Sequence, residues 1–220
     1  MPVQKRLRIV RLSQLVTSER LSSYSAVAPD IKTTFRLYEW NIDACAAVMA
    51  TSAMVEVITR NAMDLALTKW AHDVELHDWL DAPVLDQKIR NDVARARRRG
   101  RGGRLGAPPR PIPDLSFGFW RYLAARRHLT TLWLPSLRNA FPHGSTDLLA
   151  RRREVHFALQ QLVFVRNRAA HHEPIHNRPL MNDYRLAVGL ASMIDPSAGE
   201  WVTEKSTIPA IVAAKPLMRA

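Results

Sequence analysis

The stretch Asp30-Ile31-Lys32-Thr33-Thr34-Phe35-Arg36-Leu37-Tyr38-Glu39-Trp40-Asn41-Ile42-Asp43-Ala44-Cys45 decides the fold class. Apolar residues recur at Ile31, Phe35, Leu37, Tyr38, Ile42, Cys45, Ala46 and Met49, the spacing of one face of a helix. The pattern continues through Met54, Val57, Ile58, Ala62, Leu65 and Ala66. Neither glycine nor proline interrupts the chain between Asp30 and Ala82. With Asp30 as a good N-cap, this predicts two long helices, joined or kinked near Ala50–Ser52.

Working outward, a short helix is predicted over residues 16–28, with Thr17 or Ser18 as its cap. A helix starting near Asp86 runs through Ile89, Val93 and Ala96 until the glycines at 100, 102 and 103 stop it. Residues 101–114 combine glycines, arginines and the prolines at 108, 109, 111 and 113, and read as a long loop. Helices resume at 117–129, 133–139, 146–168 and 179–194, with stops at Pro142, Pro174 and Pro196. The alternation expected of strands is missing over any useful length. The expected fold is an all-α helical bundle. Its parts are a basic extension over 1–14, one domain over 15–200 holding the basic segment 90–114, and a tail over 201–220.

Cys45 is a lone cysteine, which excludes an internal disulfide and a thiolate metal cluster. No window approaches eighteen uncharged apolar residues, so no membrane span is expected. Arg11 interrupts what would be a signal peptide's apolar core, and a cytoplasmic location is the expectation. Net charge is +12, and the 220 residues include 26 arginines against 6 lysines. Eight arginines against Asp92 lie between Arg90 and Arg110, so this segment supplies +7 of the excess. Such concentration points to a polyanion, with Arg97, Arg98, Arg99 and Arg101 as candidate RNA contacts; the plainer alternative is a solvated basic loop.

Chemistry concentrates at Val165-Arg166-Asn167-Arg168-Ala169-Ala170-His171-His172-Glu173-Pro174. Apolar Phe157, Leu159, Leu162, Val163 and Phe164 precede it, placing the motif at the end of a packed helix. Asn167 and His171 fall about 40° apart on a helix, and Arg166 and His171 about 140° apart, a gap that a long arginine can span. Arg166 supplies a permanent planar cation suited to phosphate. His171 both gives and takes a proton near neutral pH. Arg168 is a further candidate contact to the RNA backbone. With the basic balance of the chain, these residues point to RNA cleavage, in which the 2′-hydroxyl is the nucleophile and the protein supplies a base, an acid and a cation.

The segment resembles the R-N-x-x-x-H motif of the HEPN superfamily, specifically its Abi-like (abortive infection) branch. Leu37-Tyr38-Glu39-Trp40-Asn41, Glu56-Val57-Ile58-Thr59-Arg60-Asn61-Ala62 and Leu115-Ser116-Phe117-Gly118-Phe119-Trp120 look like that family's earlier signatures, in its usual order. The resemblance covers roughly residues 15–200. It implies a HEPN-like bundle and a homodimer with a composite, metal-independent site at its seam. In that reading His171 is the acid–base group, Arg166 stabilises phosphate and Asn167 positions them. It also implies a toxin or phage-defence role, in which a neutralising antitoxin, protein or RNA, restrains the nuclease.

Rival readings have their own physical grounds. An Arg-Asn pair at a helix end can simply cap carbonyls and pair with acids. Glu39, Arg60, Asn61 and His172 are candidates for support around the motif; Glu39, Arg60 and Asn61 serve equally well as a buried set fixing helix register. His172, Glu173 and His176 sit in a proline-broken turn, and no metal or other cofactor is expected there. Phe117, Phe119, Trp120 and Trp133 suit a core better than base stacking. The alternatives to a nuclease are an inactive HEPN-fold RNA-binding scaffold and, more distantly, a basic DNA-binding helical protein.

Overall fold

Asp30 caps a helix as its position suggests: its Oδ1 accepts the Thr33 N–H at 2.8 Å, and such backbone N–H bonds hold its carboxyl below the usual range. The helix that follows, α3, runs unbroken over Ile31–Asp73. The expected junction near Ala50–Ser52 is corrected to continuous helix. Thr51 and Ser52 are both buried, and the Thr51 hydroxyl meets the Ser206 hydroxyl at 2.8 Å, so this polar pair is satisfied without a break.

The computed structural model describes the backbone of residues 3–101 and 110–216, with side chains over 8–99 and 110–216. Among these residues the chain is all-helical and contains no strand. The remaining helices are α1 (Val3–Val16), α2 (Ser18–Ser25), α4 (Gln87–Arg101), α5 (Phe117–Leu123), α6 (Leu148–Ala170), α7 (Leu180–Ile194), α8 (Pro196–Lys205) and α9 (Ile208–Ala213). The expected extension over 1–14 is largely α1, and the expected 16–28 helix is the shorter α2 behind Thr17, whose hydroxyl accepts the Arg20 N–H. α4 continues through Gly100 instead of stopping there. The stretch 124–141 holds a 3-10 turn (Arg126–His128), a π turn (Leu129–Trp133) and another 3-10 turn (Leu137–Ala140) in place of regular helix. The expected tail beyond 200 contains the end of α8 and all of α9.

Contacts divide the chain into two compact units, Met1–Ser52 with Phe164–Tyr184 and Lys205–Ala220, and Ala53–Val163 with Arg185–Glu204. The first unit packs Leu37, Ala44 and Val48 of α3 against Val165, Ala169, Ile175 and Ile208. Tyr24 meets Tyr38 edge-on at 5.5 Å and His176 at 4.9 Å. Trp40 donates its indole N–H to the Ile211 carbonyl at 2.7 Å, which binds α9 into this core. Cys45 is a buried thiol whose protonated form is favoured by burial.

The second unit is built on aromatics. Phe117, Phe119, Trp120 and Trp133 are all buried, as expected of core residues. Trp79 packs on Phe119 and Trp120, and Trp133 stacks on Phe141 at 6.0 Å. Asp86 caps α4 by accepting the Ile89 N–H at 2.9 Å and also accepts the Tyr122 hydroxyl at 2.8 Å.

α3 also carries an 18-residue window of mean hydropathy 1.5, of which 44% is buried. It is therefore long and apolar enough to cross a membrane by length and composition. A protein's core helix meets the same criterion, and α3 lends Asn41 and Thr51 to polar contacts inside the first unit.

Candidate functional site

α6 ends in a tightly specified turn. The His172 N–H donates to the Ala169 carbonyl at 3.0 Å, and the Glu173 N–H reaches back to the Arg168 carbonyl at 2.8 Å. His172 has φ 55, the left-handed conformation between those two bonds. This is the Schellman arrangement, with a histidine in the position that glycine usually takes. A non-glycine residue there carries a strain of about 1–2 kcal/mol. The surroundings hold it. Arg20 of α2 donates to the His172 carbonyl, and Arg168 donates to the Pro174 carbonyl at 2.8 Å while its guanidinium lies 3.4 Å from the Glu173 carboxylate.

Asn41 is the central fastening. It is buried on α3, its oxygen accepts the Ile175 N–H at 2.7 Å, and its amide nitrogen faces the Glu173 carbonyl at 3.4 Å. It lies inside one of the quoted signature segments, two residues after the expected Glu39, yet sequence reasoning did not single it out. Glu39 itself is exposed, and its side chain forms no hydrogen bond among the described residues.

On this platform the three motif residues lie at the end of one helix. The half-buried Arg166 donates to the Asn167 side-chain oxygen at 3.1 Å, and the Asn167 carbonyl accepts the His171 N–H at 3.1 Å. Asn167 thus touches both partners, one through its side chain and one through its backbone. Arg166 pairs with no carboxylate, and the exposed His171 ring has no hydrogen-bond partner, among the described residues. Arg168, expected at the RNA backbone, is engaged with the turn instead. A cation with no acid beside it and an unencumbered imidazole can serve a phosphodiester as charge stabiliser and proton carrier.

Phe164 stands one turn before this group, 49% exposed, with the Arg168 and Arg178 guanidinium carbons 5.7 and 5.0 Å from its ring centre. Arg178 also grips the buried Asp183 through two 2.6 Å bonds. Burial pushes the Asp183 carboxyl up, and Arg178 pulls it back down. His176 was overlooked except as a metal candidate. Its ring is buried on Tyr24, lies 2.8 Å from the Ser23 hydroxyl, and is held toward the neutral form by burial and Lys215. His172, Glu173 and His176 do not converge, and no metal-holding group of three His, Cys, Asp or Glu occurs among the described residues.

Arg60 and Asn61 belong to the second unit: Arg60 is half-buried with an unpartnered Nε, and Asn61 is exposed. The basic segment is more committed than its sequence suggests. Arg97 forms a two-bond pair with Asp81 at 2.8 and 2.9 Å, and Arg99 donates to the Asp114 carbonyl at 2.6 Å. Arg95 pairs with Asp92, and Arg110 binds both Asp64 and Asp78 at 3.0 Å. Arg98 is exposed and unpaired among the described residues, lining a cleft of about 420 Å³ with Arg90 and Arg97. The side chain of Arg101 and all of residues 102–109 lie outside the described residues.

Comparison with protein-family models, with curated proteins and with solved structures returned no match.

Proposed function

We propose that this chain is an endoribonuclease of the HEPN, Abi-like type, cutting RNA through Arg166, Asn167 and His171. The observation that carries the reading is the end of α6, where an arginine without an acidic partner and a free imidazole, among the described residues, are joined by one asparagine on a fastened turn. The 2′-hydroxyl attacks phosphorus as a base takes its proton, and the bond to the 5′-oxygen breaks as an acid protonates it. The products are a 2′,3′-cyclic phosphate and a 5′-hydroxyl. Arg166 offsets charge on the phosphorane, and His171 carries a proton.

One histidine cannot readily perform both transfers in one event, so the reading includes a homodimer that brings two copies together. Exposed Phe164 lies seven residues before His171, a step that drifts only about 20° round a helix. An apolar seam along this line would carry the histidines with it. Ile42, also exposed in the first unit, offers further apolar surface on α3. A cytoplasmic toxin or phage-defence effector restrained by a protein or RNA neutraliser is the biological setting that this activity fits.

The test is purified protein on a mixed RNA pool with EDTA present, with end-group analysis of the products. Cleavage leaving 2′,3′-cyclic ends is the expected result. Tight RNA binding with no cleavage would favour the inactive scaffold instead.

A further inference from the structure

Arg152, near the start of α6 in the second unit, is 8% exposed. It donates to the Ala124 carbonyl at 3.1 Å, and its Nε is buried without a partner among the described residues. No carboxylate pairs with it among those residues. A buried guanidinium is costly unless an anion balances it.

The neighbours add positive charge rather than removing it. Ala124 caps the C-terminus of α5, so the Arg152–Ala124 bond joins that helix end to α6. Arg121, one turn earlier on α5, is half-buried and its Nε is likewise buried without a partner. Arg126 follows Ala124 by two residues and is exposed, while Arg153 and His156 flank Arg152 on α6. Burial and the cations of Arg153 and Arg126 push Arg152 below its ordinary value. Burial, Arg152 and Arg121 do the same to His156. Asp147, the acid that senses Arg153, is already accepting the Leu149 and Ala150 N–H groups.

We propose that Arg121, Arg126, Arg152, Arg153 and His156 form a binding site for a phosphate group. A tetrahedral dianion has enough charge and acceptor oxygens to engage several guanidiniums together, which a monocarboxylate has not. The assignment holds whether or not the motif at the end of α6 cleaves RNA.

The test compares wild type with Arg152→Met by thermal unfolding in chloride and in inorganic phosphate at equal ionic strength. With phosphate at roughly ten times its dissociation constant, the wild-type midpoint should rise by about 3 °C. Arg152→Met should show no such rise, yet be at least as stable as wild type in chloride, since an uncompensated buried charge is gone. If Arg152→Met loses stability equally in both media, Arg152 is only a clamp on the Ala124 carbonyl and the site falls. Arg126→Gln and Arg153→Gln alter exposed side chains, and each should weaken calorimetric phosphate binding by about threefold or more. Unchanged binding in both would overturn the proposal, whatever Arg152→Met does. Titration with a nucleoside triphosphate and with a 5′-hydroxyl single-stranded RNA separates a terminal phosphate from an RNA backbone as the source. Binding of either that Arg126→Gln and Arg153→Gln weaken supports the site, with the dianionic terminal phosphate expected to bind more tightly than the monoanionic backbone; binding of neither, nor of inorganic phosphate, or binding that both variants leave unchanged, removes it.

Discussion

The Asn41 side-chain oxygen accepts the Ile175 N–H at 2.7 Å across 134 residues of sequence. This buried bond fastens the turn after His171 to the first third of α3, a helix that begins at Ile31. Asn41→Ala leaves the Ile175 donor unsatisfied and should cost about 1–3 kcal/mol. Urea denaturation measures it, and a change below about 0.5 kcal/mol would show that the turn holds without Asn41.

His172 occupies a left-handed position that glycine adopts without strain. His172→Gly should therefore raise stability by up to about 1 kcal/mol, after allowance for the greater freedom of glycine in the unfolded chain. The same variant should keep its RNA-cleaving activity if His171 is the proton carrier. Loss of cleavage by His172→Gly, with stability intact, would shift the assignment to His172.

His171→Ala should abolish cleavage with the fold unchanged, as judged by its unfolding midpoint. Arg166→Ala should do the same, and Arg166→Lys should recover little because the planar fork is lost. Mixed dimers of wild type and His171→Ala separate a shared site from two independent ones. Nearly dead heterodimers fit the shared site, whereas about half the activity would fit chains that cut alone.

Arg98 and Arg97 differ by one position and should behave differently toward RNA. Arg98 is unpaired among the described residues, so Arg98→Gln should flatten the dependence of log affinity on log salt by about 0.7 for a single-stranded contact. Arg97 is held by Asp81, and Arg97→Gln should instead lower stability modestly by freeing that carboxylate. Equal slope changes for the two would mean that the Asp81 pair opens on binding.

Acidification should destabilise the protein in a defined window. Burial depresses His128, His156 and His176 from the ordinary 6.5, so the unfolded chain binds more protons than the folded one just below that pH. Stability from these groups is present above about 6.5 and is lost as pH falls through it, at up to about 1.4 kcal/mol per pH unit for each. Asp81, Asp86 and Asp92 sit below their ordinary 3.8, so their contribution is lost only in a separate, more acidic window. Unfolding midpoints flat between pH 7 and pH 5 would show that these histidines are hydrated when folded.

Much of this was legible from local spacing. The apolar period around Leu37 and Cys45, the caps at Asp30 and Asp86, and an Arg-Asn-His set at a helix end all depend on residues within a few positions of each other, which covalent geometry fixes. Even there, one feature escaped. Thr51 and Ser52 read as a weak point in a long helix, but the Ser206 hydroxyl, far along the chain, satisfies Thr51 and lets α3 continue.

What the sequence determined by itself was the all-helical class, a concentration of arginine, and the placement of Arg166, Asn167 and His171 on one helix end. Only the tertiary structure decided which arginines keep their charge available. Arg97 and Arg110 are absorbed by Asp81, Asp64 and Asp78, and Arg168 by the Pro174 carbonyl, whereas among the described residues Arg166 meets only a neutral amide and Arg152 a lone carbonyl. The physical reason is that composition sets how many cations exist, while their availability depends on which distant acid or carbonyl folding brings within hydrogen-bond reach.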